Sequence, residues 1–341
     1  MSRHVLAVVL SVVVLTGCAP TLTGVRVYYP DNGPVPSGDH VTMHYLGNGG
    51  WLIRHDGHVV ATAPFVTNPL NAAVYLPAES DQARLSTLPP MRDVKSILIG
   101  HAHYDHAKDL PYIMRELAPE ATLYGGNAVT RLFRRTLGAN RVVDVSEKAY
   151  LRDQRAGEWI DLPHAPIRIL PLSSSHAPHL FGFVKVVSWR KRLEKDVEPG
   201  ELPTVPAAWP EGDTLAYLVD FLAPDRSKVV FRVYYQDSAT PPGIGSIPES
   251  SDDVPVDVAI LCVAAFNQVG DDNPQHILAD LKPRYVVGGH WEDFFMGSRD
   301  RAPQVAPGTN IDEFVRRTHK AVNVPIYLPE PYRKIFIPIV R

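Results

Sequence analysis

The apolar run Val94-Lys-Ser-Ile-Leu-Ile-Gly100 is followed at once by His101-Ala-His103-Tyr-Asp105-His106. The first segment has the pattern of a buried strand. The second sets three imidazoles and one carboxylate at its end. Buried without partners, such groups are costly. The rest of the chain must therefore supply them with solvent, hydrogen bonds or a metal. In extended backbone, residues two apart face the same way, so His101 and His103 can address one point. The chain then turns, and Asp105 and His106 can address a neighbouring one. One short stretch can thus serve two adjacent ions. Imidazole and carboxylate suit Zn²⁺, with Mn²⁺ or Fe also compatible. The alternative is a solvated, histidine-rich turn.

Three further residues favour the metal reading. His176 follows "IRILPLSSS", Asp237 follows "VVFRVYYQ" and His290 follows "RYVVGG", each a strand pattern. Metal-capable side chains at repeated strand ends are expected where a site runs along one edge of a sheet sandwich. Catalytic metal sites also keep a coordination position open for water.

The remaining chain reads as strands interspersed with helices, which implies helix-covered sheets rather than a helical bundle. His55-Asp56-Gly57 joins two apolar runs and predicts a hairpin turn. Helical spacing is expected over "AKDLPYIMRELAP", over "NAVTRLFRRTLG" closed by Gly138, over "PQHILADLKP", and over "NIDEFVRRTHKA" with Asn310 as N-cap. The stretch 189–213 is charged, Pro-rich and without a period; it reads as an excursion over the surface, a lid or a membrane-facing element. Cys262 lies in "DVAILCVAAF" and reads as a small core side chain. A formal net charge of −3 over 341 residues gives no reason to expect a nucleic-acid polymer as partner.

The first residues read as an address. Arg3 precedes the eleven-residue apolar run Val5–Leu15, too short to span a bilayer but suited to a signal peptide. Leu15-Thr16-Gly17-Cys18 resembles the lipobox of bacterial lipoproteins. That resemblance implies a signal peptide over 1–17, lipidation at Cys18, a tether over 18–40, and a folded domain over 41–341. With Ala19 following Cys18, it also implies a cell-envelope protein anchored in the outer membrane and facing the periplasm.

From about Val41 to Ile339 the combination of "HAHYDH" with the ordered His176, Asp237 and His290 resembles the metallo-β-lactamase superfamily. "GGHW" and "YYQDSA" are similar to its later motifs. The resemblance implies an α/β fold, an αββα four-layer sandwich. It assigns His101, His103 and His176 to one ion, Asp105, His106 and His290 to a second, and Asp237 to a bridge between them. Two zinc ions are the expected cofactor. Ions about 3.5–4 Å apart lower the pKa of a bridging water, which then attacks phosphorus or a carbonyl carbon. Asp105 would orient that nucleophile or shuttle its proton, and His179 would protonate the leaving group or bind substrate. "YLGNGGWLIRHDGHVVATAPF" resembles the branch of N-acyl-phosphatidylethanolamine phospholipase D and lactonase-like hydrolases. The expected substrate is accordingly a small molecule or lipid with a phosphodiester, the alternatives being a lactone or amide ester, or binding of metal or ligand without turnover. One departure stands out. The branch carries Thr-Asp-Pro where this chain has Thr62-Ala63-Pro64, so a carboxylate that supports the metal site from behind is missing.

Overall fold

The computed structural model describes residues 35–68, 76–178, 192–251, 253–294 and 303–340. The first sheet begins with an antiparallel meander: β1 (His40–Gly47), β2 (Gly50–His55) and β3 (His58–Thr62). The β2–β3 turn is the predicted one, with Asp56 and Gly57 both at positive φ, as a tight hairpin requires. Three parallel strands follow: β4 (Val94–Leu98), β5 (Thr122–Gly125) and β6 (Val142–Asp144). The second sheet contains β7 (Ile160–Asp161), β8 (Ile167–Ser173), β9 (Leu215–Leu222), β10 (Val229–Gln236), β11 (Val258–Cys262), β12 (Tyr285–Gly289) and β13 (Ile326–Tyr327). β14 (Lys334–Pro338) returns to the first sheet beside β1. Each sheet has three antiparallel joints followed by three parallel ones, in the orders β14-β1-β2-β3-β4-β5-β6 and β7-β8-β9-β10-β11-β12-β13.

Six α-helices lie among the described residues: α1 (Gln82–Leu85), α2 (Tyr104–Ala107), α3 (Leu110–Tyr112), α4 (Asn127–Leu137), α5 (Gln275–Leu281) and α6 (Ile311–Ala321). The last three match the helices expected from sequence. Gly138 ends α4 at φ +97°, and the Asn310 side chain caps α6 through the Glu313 amide. The helix expected over 107–119 is broken instead into α2, α3 and a π-helical turn, Ile113–Leu117. Pro111 explains the break. It has no N–H to donate, so it sits within the first turn of α3, where none is needed.

Two apolar cores follow from this layering. One fills the space between the sheets, with Met43, Tyr45, Ile53, Leu170, Val219 and Val233, and continues to Ile277 of α5 and Phe314 of α6. The other joins Ala61, Ile97 and Ile99 to Leu110, Ile113 and Phe133 from the helices over the first sheet. The result is the expected αββα sandwich. β9 and β11 are buried along their whole length, as strands covered on both faces should be. Pro171 is tolerated inside β8 because its backbone groups face away from β9 towards Tyr150, which pairs only with the Pro171 carbonyl and the Ser173 amide.

The segment 192–213 is more tightly held than its composition suggests. Leu193, Val197 and Leu202 pack on the helical core, Arg131 pairs with Asp196 at 2.8 Å, and Trp209 is buried beside Phe133. Its return limb reaches the "HAHYDH" loop, where the Ala102 amide donates to the Glu211 carbonyl at 2.8 Å. Reading 189–213 wholly as a surface excursion missed this anchoring. Arg190 and Lys191 lie outside the described residues.

One buried ion cluster lies within the second sheet. The Arg232 guanidinium makes a two-pronged contact with Asp220 at 2.6 and 2.9 Å and donates to the Ser251 and Val254 carbonyls. Arg168 reaches the same carboxylate at 2.9 Å and lies over the Trp159 ring. Asp220→Ala would leave a fully buried guanidinium without its counter-charge. The expected loss is about 3–5 kcal/mol, measurable as a lowered denaturant midpoint; an unchanged midpoint would contradict this account of the cluster.

Candidate metal centre

Four strand ends deliver the candidate residues to one place. After β4 the chain presents His101 and His103, then turns into α2, which carries Asp105 and His106. β8 leads to His176, β10 to Asp237 and β12 to His290. The first group belongs to one sheet and the other three residues to the facing sheet. β8, β10 and β12 run in the same direction, so their C-terminal ends share one edge.

The side chains form three overlapping triads: His101, His103 and His176; His101, His106 and Asp237; and Asp105, His106 and His290. Within each, one potential ligand atom per residue lies within 4.8 Å of the others. Ring centroids are 4.7 Å apart for His101 and His103, 4.6 Å for His101 and His176, and 5.1 Å for His106 and His290. All seven residues named from sequence are brought together, and all but His176 are buried. Asp237 occurs in the middle triad, with His101 and His106, the residues shared with the outer two. His179 lies outside the described residues. Neither His276 nor His319 joins a triad among the described residues, and His44 is engaged by the Tyr332 carbonyl.

The geometry fits a metal pair on two counts. His101 Nε2, His106 Nδ1 and His290 Nδ1 are buried without a hydrogen-bond partner, although unpaired polar atoms are costly to bury. The opposite nitrogens of the same rings make short contacts to carboxylates, two of hydrogen-bond length and one at the spacing of two ligands on one ion. His101 Nδ1 is 3.1 Å from Asp237 Oδ1, His290 Nε2 is 3.1 Å from Asp105 Oδ2, and His106 Nε2 is 3.3 Å from the same oxygen. Ligand atoms about 2.0–2.2 Å from a tetrahedral ion stand roughly 3.3–3.6 Å apart. His176 Nδ1 lies 2.6 Å from the Ala177 carbonyl, which places its hydrogen on Nδ1 and its lone pair on Nε2.

Close packing makes this convergence possible. A Cβ at Gly100 would run into the Asp237 carboxylate, whose Oδ2 accepts the Gly100 amide at 2.9 Å. A Cβ at Gly49 would meet His106 Nδ1 at 2.9 Å and the Tyr235 hydroxyl at 2.8 Å. Two tyrosines of the second sheet tie it to the first at this level: Tyr217 donates to the Ile99 carbonyl and Tyr235 to the Gly49 carbonyl. Asp109, fully buried, accepts the Val66 and Thr67 amides at 2.9 Å each, pinning the segment after β3 beside α3. None of these supports was singled out from sequence. Tyrosines in strands read as core, and only the facing partner shows the role of the hydroxyl.

The segment after His290 divides between wall and interior. Trp291 is buried and donates to the Pro329 carbonyl, Glu292 turns inward, and the Phe294 ring meets His290 edge-on at 4.7 Å. Ala63 is fully buried at φ +29°, with its amide paired to the Leu98 carbonyl. It supplies no carboxylate. Cys262 is a free, buried thiol whose pKa is pushed up by burial and then by the nearby Asp237.

Charge is balanced within the cluster. Burial raises the Asp105 pKa, but His106 and His290 outweigh it and hold the carboxyl well below its usual range. Asp237 follows the same pattern, lowered by His101, His106 and the Gly100 amide against burial. Burial draws His106 down, yet Asp105 and Asp237 leave it raised, whereas burial and His106 leave His101 lowered.

No protein-family model matches this sequence, and no curated protein matches it either. Solved structures do. Igni18, a metallo hydrolase from the archaeon Ignicoccus hospitalis, aligns with a TM-score of 0.52 and 16% identity over 87% of this chain and 98% of its own. YhfI from Bacillus subtilis, a metallo-β-lactamase fold protein, aligns with a TM-score of 0.47 and 11% identity over 86% of this chain and 99% of its own. At 16% identity the likeness to Igni18 is one of fold, and it agrees with the αββα sandwich described above.

Two predictions follow from the packing and the charge balance. Gly100→Ala should displace the Asp237 carboxylate and abolish metal uptake while far-ultraviolet circular dichroism stays native; full metal content in that variant would contradict the packing argument. In the metal-free protein, the raised His106 pKa contributes stability below the unfolded value near 6.5 and loses it as pH rises through the folded value. Metal must displace that proton. Zinc affinity should therefore increase from pH 6 to pH 8, with proton release seen by calorimetry in buffers of different ionisation enthalpy.

Proposed function

We propose that this protein is a metal-dependent hydrolase using two divalent cations, with zinc as the favoured ion. The observation that carries this reading is the convergence of seven histidine and aspartate side chains, from four strand ends, into three overlapping donor triads. His101, His103 and His176 would hold one cation, Asp105, His106 and His290 the other, with Asp237 between them. The donor set, rich in imidazole, suits Zn²⁺, and Mn²⁺ or Fe would also be accepted. Bound there, the pair supplies Lewis acidity that makes water reactive near neutral pH and offsets the charge that develops on the attacked group.

The chain's own residues set the direction of the reaction. Asp105 is kept ionised by His106 and His290, so its carboxylate can accept a hydrogen bond from the attacking water and orient it. The Phe294 ring against His290 shields that side from bulk solvent. His179, three residues beyond His176, would give a proton to the leaving oxygen.

The proposed substrate is a phosphodiester of lipid or nucleotide type. Its support is the resemblance of the sequence over residues 45–65 to the phospholipase D-like branch, and the resemblance of Leu15-Thr16-Gly17-Cys18 to a lipobox, which would anchor the enzyme in the bacterial envelope close to lipid. Residues 1–34 lie outside those described.

Purified protein should be assayed with zinc against chromogenic phosphodiesters, lactones and β-lactams. His103→Ala and Asp237→Ala should each lower the rate by more than about 100-fold, since removing even an outer partner of a metal ligand costs 10–100-fold. Both variants should retain their fold by circular dichroism. Unchanged rates in both at full metal content would overturn the assignment, and turnover of lactones alone would move the substrate class.

A further inference from the structure

The β1–β2 turn and the residues after β12 form a buried polar knot beside one half of the proposed centre. His290 has a left-handed backbone, φ +56°, a conformation that L side chains rarely adopt. Its amide donates to the Tyr45 hydroxyl at 2.8 Å. Tyr45 in turn donates to Glu292 Oε2 at 2.6 Å. The other oxygen, Glu292 Oε1, accepts the Asn48 amide. Gly47, at φ +104°, brings the turn close enough that a Cβ there would come within 3.1 Å of that same oxygen. The Asn48 side chain then donates to the Asp105 carbonyl at 3.3 Å. Tyr45 is fully buried and Glu292 nearly so.

Each member of this relay is satisfied by the next, and none is a candidate ligand. A buried carboxylate is expensive to keep, so its retention calls for a reason. The contacts themselves suggest one: the relay ends on Asp105 and His290, two of the three residues of one triad, and no bond of it reaches His101, His103 or His176.

We propose that Tyr45 and Glu292 are positioning residues that hold His290 and Asp105 in register for the second cation and leave the first cation's ligands untouched. This rests on the two-cation reading above. Without the Tyr45 hydroxyl, the strained His290 backbone would lose the acceptor for its amide, and the imidazole would no longer be aimed at His106 and Asp105. Without Glu292, the Asn48 amide would lose its acceptor and the Tyr45 hydrogen would be left with the longer contact to the Asn48 carbonyl at 3.1 Å, loosening the turn on which the Asp105 carbonyl rests.

The test is zinc binding by chelator competition, with metal content per chain, for the wild type and for Tyr45→Phe, Glu292→Gln and Glu292→Ala. Tyr45→Phe keeps the ring that packs 4.5 Å from Trp51, so it remains informative if Glu292→Ala fails to fold. The wild type should bind two ions. Tyr45→Phe and Glu292→Ala should bind the first with unchanged affinity and the second about 10–100-fold more weakly. Glu292→Gln, which keeps one acceptor oxygen, should fall between. A purely structural role would weaken both ions together or neither, and either result overturns the proposal. Wild-type affinity for both ions in folded Tyr45→Phe overturns it while leaving the two-cation reading intact. A wild type that binds no ion defeats both.

Discussion

A carboxylate with no access to solvent joins the two sheets at their common edge. Asp237 comes from the end of β10, accepts the amide of Gly100 beyond β4, and lies against His101 and His106. A buried charge persists only where opposite charge or donors surround it, and here the opposing sheet provides them. This contact draws the two sheets together at the site, over the apolar core that fills the space between them. It also explains why position 100 has no side chain: the amide must come close enough to donate, and a Cβ would occupy the carboxylate's place. Tyr217 and Tyr235, cross-strand partners on β9 and β10, add two further ties to backbone carbonyls of the first sheet.

The site is asymmetric in how it is held. His176 follows a loop after β8 and is the least buried of the seven residues, with its ring fixed by the Ala177 carbonyl. His290 sits in a left-handed backbone conformation tied into a buried relay. Strain of this kind costs about 1–3 kcal/mol and persists where the surroundings over-determine it. A histidine kept there, with the aromatic Phe294 against its ring, fits a side chain whose direction matters more than its backbone comfort. Ala63 is also at positive φ, with its amide paired to the Leu98 carbonyl.

Much of this was legible in the sequence because the informative residues are local or sit at strand ends. "HAHYDH" after an apolar run announces its own chemistry, and His176, Asp237 and His290 each end a strand pattern long enough to recognise. The helices α4, α5 and α6 were marked by periodicity and, for α4 and α6, by end signals at Gly138 and Asn310. What escaped was non-local or short. β7 and β13 have two residues each, too few to show a period. Pro111 splits a helix that spacing alone would have continued. Tyr45, Asp109, Tyr217, Tyr235 and Glu292 matter through partners from dozens to hundreds of residues away, and a lone sequence carries no sign of such pairing. Within 189–213, charge and proline hid Trp209, whose burial depends on Phe133 of a distant helix.

The central claim is that seven side chains from two sheets grip a pair of cations. Crystals grown with zinc and measured on both sides of the zinc absorption edge would test it without assuming a substrate. The account predicts two anomalous peaks about 3.5–4 Å apart, one among His101, His103 and His176, the other among Asp105, His106 and His290, with Asp237 reaching both. A single peak elsewhere on the surface, or none at the strand ends, would contradict it.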